Sequence, residues 1–119
     1  MTACTLATSA APAAGPVPSS VEVLTIDQVG DANVTVIDGV VLSDRRQCVP
    51  GRKVKAIAVT PSGDVPIDTG ISGKNGGWQA RDTDDALSGS TALKLRLPKT
   101  TVKTGKKTIK CDGATVQLT

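Results

Sequence analysis

Cys4, Cys48 and Cys111 offer the most varied chemistry in this chain, and their spacing limits what they can do. No two lie close enough for a zinc knuckle, and the sequence holds no His to complete a ligand set. A disulfide between Cys48 and Cys111 is the expectation. It would close most of the domain, contribute about 4 kcal/mol on the chain-entropy account, and imply an extracytoplasmic compartment. Two buried free thiols are the competing reading. Cys4 is left over. Met1-Thr2-Ala3-Cys4 has the form of a lipobox end, which would make Cys4 a lipidation site, and an unpaired tail cysteine is the alternative.

Nucleophilic catalysis finds no support. A Ser triad needs a base that titrates near neutrality, and there is no His to be one. No motif sets a Lys or a raised carboxylate beside a nucleophile. Gly73-Lys74-Asn75-Gly76-Gly77 lacks the Walker pattern and a following helix, so it reads as a hairpin-type turn. No enzymatic activity and no cofactor are expected. Asp82, Asp84 and Asp85, with Asp64 and Asp68 as neighbours, have the oxygen density that calcium prefers. The regular alternation of a calcium loop is missing, which favours a solvated loop with no metal.

Charge is segregated along the chain. Lys94, Arg96, Lys99, Lys103, Lys106, Lys107 and Lys110 follow one another with no acid between them, whereas residues 21–90 hold seven basic and ten acidic side chains. A hairpin from Leu97 to Ile109, turning around Pro98 to Gly105, would set several of these lysines on one solvent face. Such a stripe suits an anionic cell-surface polymer, lipid head groups or sulphated glycans. Nucleic acid is disfavoured, because aromatic side chains to stack on bases are missing. Lysines that guard an exposed strand edge are the simpler explanation.

The elements that must position these groups read as strands. With no Phe, no Tyr and one Trp, the core has to come from Val, Ile, Leu and Ala, which is a thin core for 119 residues. Residues 1–20 are Ala, Ser, Thr and Pro without charge or periodicity. They read as a disordered leader or tether, with Ala11-Pro12-Ala13 of the form that signal peptidase accepts. The domain is expected over 21–119. Short β-rich runs cover 21–26, 34–42, 52–60, 65–71, 78–81, 91–97, 107–111 and 114–118, with turn residues between them. Asp38-Gly39 suggests a bulge, Pro66 an edge strand, and 83–87 one helical turn. Leu93, Leu95 and Leu97 alternate with Lys94 and Arg96, and Ala114, Val116 and Leu118 are expected inside. No crossover segments are present, so pairing should be antiparallel.

Ile37-Asp38-Gly39-Val40-Val41, then Cys48, Gly51-Arg52-Lys53-Val54, Gly70 and Asn75-Gly76-Gly77-Trp78, resemble bacterial transthyretin-like or carboxypeptidase-regulatory-like domains and the related collagen-adhesin B-type modules. The resemblance spans 34–118 and is strongest to small secreted actinobacterial variants. It implies an all-β, single antiparallel seven- to eight-stranded Ig-like (transthyretin/prealbumin-like) sandwich with one disulfide, the aromatic of the Asn-Gly-x-Trp element lying in the core. In the adhesin relatives a Lys and an Asn or Asp crosslink, for which Lys53, Lys55 and Asp38 would be the candidates. The function implied is non-catalytic: a secreted or cell-surface module for structural support, or for binding a surface polymer or protein partner, monomeric by default and reaching a membrane only through a lipid tether. The alternative is an accessory domain of a larger secreted enzyme or of a phage structural protein.

Overall fold

Alternating aliphatic and polar residues lay the chain out as strands. The computed structural model describes residues 16–29 and 34–119, with the backbone alone at Val29. Nine strands run through them: β1 (Ser19–Val29), β2 (Val34–Ser43), β3 (Lys53–Thr60), β4 (Gly63–Ile71), β5 (Gly77–Asp82), β6 (Ala92–Leu97), β7 (Thr100–Thr104), β8 (Lys107–Cys111) and β9 (Ala114–Leu118). One antiparallel sheet has the order β1-β2-β5, a second β4-β3-β6-β9, and β7-β8 form a separate hairpin. No α-helix occurs among the described residues.

The two larger sheets share one core. Val21 of β1, Ile37 and Val41 of β2, and Trp78 and Ala80 of β5 pack with Val54 and Ala56 of β3 and Leu93, Leu95 and Leu97 of β6. These are the every-second-residue positions of their strands, so alternation in sequence becomes a two-layer, sandwich-like stack. Trp78 is the core's large piece, and Gly39, directly across the ladder from it, makes room for the ring. A Cβ at Gly39 would overlap both the indole and the Glu22 carbonyl oxygen. At one corner the sheets nearly touch: a Cβ at Gly70 would overlap the Gln79 carbonyl oxygen, and the Asp68 carboxylate accepts the Arg81 N–H at 2.9 Å.

Several expectations change. The strand count is nine, because Thr100–Thr104 forms a strand not expected from the sequence. Its partner is β8, so the hairpin turns at Gly105-Lys106 rather than around Pro98 to Gly105, and β6 pairs with β3 and β9 instead. The bulge beside Asp38-Gly39 lies on β1: the register slips between Val23 and Thr25, while β2 keeps its inward phase at Ile37, Gly39 and Val41. The glycine therefore serves the tryptophan, and the extra residue is Leu24. β1 begins at Ser19, ahead of the expected 21, and residues 1–15 and 30–33 lie outside the described residues, as does Cys4. Ala114 and Val116 are only half-buried and Leu118 is exposed, because β9 is the edge of its sheet. β4 is an edge as Pro66 suggests. The helical turn is a 3-10 turn at Ala86–Gly89, placed by Asp82.

Candidate functional site

The site is built around Arg52, which stands at the entry to β3. Ser72 holds its backbone: the Arg52 N–H donates to the Ser72 hydroxyl at 2.8 Å, the Ser72 N–H donates to the Arg52 carbonyl at 2.9 Å, and the Ser72 hydroxyl donates to the Val49 carbonyl at 2.6 Å. The side chain turns inward and is only 2 % exposed. One guanidinium nitrogen donates to the Cys48 carbonyl at 2.8 Å and the Ser19 hydroxyl at 3.1 Å. The other donates to the Asp112 carbonyl at 2.8 Å and the Pro98 carbonyl at 3.1 Å. All four acceptors are neutral. Burial lowers the pKa of this guanidinium, and the Asp112 charge acts in the opposite direction.

Those four acceptors belong to four segments that are distant in sequence. Cys48 and Cys111 close the same junction with the expected disulfide, their Cα atoms 5.5 Å apart. Val17 adds a parallel bridge to Cys111, its N–H donating to the Lys110 carbonyl at 2.8 Å and its carbonyl accepting the Asp112 N–H at 2.8 Å. The β7-β8 hairpin, which belongs to neither large sheet, is thereby tied to the body. Because Arg52 holds the Pro98 carbonyl, the next residue, Lys99, is fixed at the lip of the four-stranded sheet.

A cleft of about 360 Å³ opens there, lined by Gly51, Arg52, Lys53, Lys55, Pro98, Lys99 and Thr100, with no carboxylate among them. Lys53 and Lys55 are two apart on β3 and point outward, since Val54 and Ala56 between them are buried. Arg96 is the direct cross-strand neighbour of Lys55. Two cations opposite each other on one sheet face repel, and proteins ordinarily avoid the arrangement.

The basic residues singled out by the sequence do not form one stripe. Lys94 donates to Asp64 at 2.6 Å, the one ion pair among the described residues. Lys99 lines the cleft just described, while Arg96 lies beside it, across the ladder from Lys55, and lines a neighbouring hollow with Lys99. On the hairpin, register puts Lys103 and Lys110 on one face, while Lys107 shares the other with Val102 and Ile109, and Lys106 occupies the turn. The split follows from a two-residue period that Lys106-Lys107 interrupts.

The acidic candidates scatter as well. Asp82 is 1 % exposed and its two oxygens accept the Ala86 and Leu87 N–H groups at 3.0 and 2.9 Å, so it caps the 3-10 turn rather than facing solvent with Asp84 and Asp85. Asp64 and Asp68 are engaged elsewhere, by Lys94 and by the Arg81 amide. No group of three or more metal-ligating side chains occurs among the described residues. A Lys–Asp crosslink is excluded by placement: Lys53 and Lys55 lie on the outer face of one sheet, while Asp38 lies in the other and accepts from Thr25 and Gln79.

The sequence offers Lys53 and Lys55 only as crosslink candidates and Arg52 only as part of the Gly51-Arg52-Lys53-Val54 element, and none of the three as an anion ligand. The Lys-Val-Lys-Ala alternation does show that both lysines share a face, but their approach to Arg96 and Lys99 depends on the β3-β6 register. No local pattern separates a buried Arg52 from the exposed lysine beside it. Comparison with protein-family models, with curated proteins and with solved structures finds no match to this chain.

Proposed function

We propose that this chain is an extracytoplasmic, non-catalytic Ig-like sandwich module of the transthyretin-like or carboxypeptidase-regulatory-like kind, which binds an anionic cell-surface polymer on its basic surface. The observation that carries the reading is the unpaired positive charge: of the seven cations from Lys94 to Lys110, only Lys94 contacts a carboxylate among the described residues. Cations left in water without partners create a field that gathers polyanions. The buried disulfide supports an oxidising compartment. No described helix is long and apolar enough to cross a membrane.

The test is retention of the purified chain on immobilised poly(glycerol phosphate) over a salt gradient. Retention at low ionic strength, lost as added salt shortens the screening length, is the expected result. Glutamine at Arg96, Lys99, Lys103, Lys106, Lys107 and Lys110 should abolish it. Flow-through of the unaltered protein at low salt would defeat the proposal.

A further inference from the structure

We infer that the cleft between β3 and the Pro98-Lys99 segment is a phosphate-binding site, in which Lys55 and Lys99 of its lining and Arg96 beside it, across the ladder from Lys55, hold one phosphate group and Lys53 guides it in. The inference deepens the proposed binding of an anionic polymer, on which it rests, by naming the ligand group and the residues that take it. Three independent features converge on it. Lys55 and Arg96 are cross-strand neighbours, a like-charge pair that destabilises the apo sheet and that an anion between them would turn into an attractive triad. Lys99 is delivered to the same cleft by a backbone that Arg52 anchors through the Pro98 carbonyl at 3.1 Å, so the main chain that carries it is tied to the body of the fold. Beneath them the Arg52 guanidinium lines the same cleft and donates its hydrogen bonds to neutral acceptors, with the Asp112 charge acting on it from nearby.

Chemistry selects phosphate over carboxylate. A guanidinium fork with two ammonium groups matches the several oxygens and concentrated charge of a phosphate better than one planar carboxylate. The cleft holds about 360 Å³, room for the phosphate with part of the alcohol it esterifies. The phosphate can come from a polymer's phosphodiester or from free inorganic phosphate.

Two ligands and two variants test this. Affinities for poly(glycerol phosphate) and for inorganic phosphate are measured by calorimetry on the unaltered chain, on Lys55→Gln/Arg96→Gln/Lys99→Gln, and on Lys103→Gln/Lys106→Gln/Lys107→Gln. All six substituted residues are exposed, and urea melts confirm that each variant folds. The cleft variant should bind the polymer at least about tenfold more weakly, since hydrogen bonds to charged groups are removed, while the hairpin variant changes by about twofold or less. Lys55→Gln alone should raise the melting temperature in phosphate-free buffer and remove the further rise that phosphate gives the unaltered chain. Equal losses in both variants would overturn the site and leave the polymer reading standing. Phosphate saturating the cleft without any polymer binding would overturn the polymer reading and assign free phosphate as the ligand. Binding of neither overturns both, and equally tight binding of poly-glutamate overturns the choice of phosphate.

Discussion

Replacing Arg52 with methionine tests how the four corners of this fold are joined. The side chain is 2 % exposed and donates four hydrogen bonds, at 2.8 Å to the Cys48 and Asp112 carbonyls and at 3.1 Å to the Pro98 carbonyl and Ser19 hydroxyl. Counting only the two short bonds, at about 1.5–3 kcal/mol each for a charged donor, gives a loss of about 3–6 kcal/mol. Removing a charge from a buried site returns part of that, because its desolvation is no longer required. Apolar replacement of buried charges can be neutral when both partners are exchanged together. Here three of the acceptors are backbone carbonyls that cannot be exchanged, so a net destabilisation of about 3 kcal/mol is expected. That is a large share of a typical domain stability of about 5–15 kcal/mol. Urea unfolding followed by the emission of Trp78, the chain's one aromatic side chain, would show a midpoint lowered by about 1–3 M. Arg52→Lys keeps the charge but has one nitrogen for acceptors in four segments, and should recover only part of the loss. A methionine variant as stable as the parent would refute the reasoning, since it would show that the carbonyls find other donors at no cost.

Gly39→Ala drives a methyl into the Trp78 ring and should cost about 1–3 kcal/mol or more, with Trp78 emission shifting to the red as the indole is displaced. Asp82→Ala strands the Ala86 and Leu87 amides and should cost about 2 kcal/mol by thermal melting, while added calcium leaves the parent's melting temperature unchanged because both Asp82 oxygens are engaged. Cys48→Ser with Cys111→Ser should lower stability by about 4 kcal/mol in urea melts; a loss under about 1 kcal/mol would show that Arg52 and the Val17 bridge hold the junction unaided.

Local pattern made much of this fold legible. The Leu93, Leu95, Leu97 alternation and the Pro66 edge both appear in the structure, because side-chain period and proline chemistry act over a few residues. β7 is not legible for the same reason: Thr100 to Thr104 carries no inward aliphatic stripe, and it is a strand because β8 pairs with it. The acidic loop misled because composition shows carboxylates without showing which of them turn inward. Asp82 ends β5 at a buried position and is used up by its own turn.

Residue types and their two-residue period therefore determined an all-β chain with an aliphatic core and sulfurs able to meet. Tertiary structure alone decided that Arg52 is buried as the tie between four segments, and that Lys55 faces Arg96 beside Lys99. Period is a property of neighbours along the chain, whereas register is set by which faces of distant strands are buried together. A charge cluster assembled across that register has no signature in any stretch of sequence short enough to read.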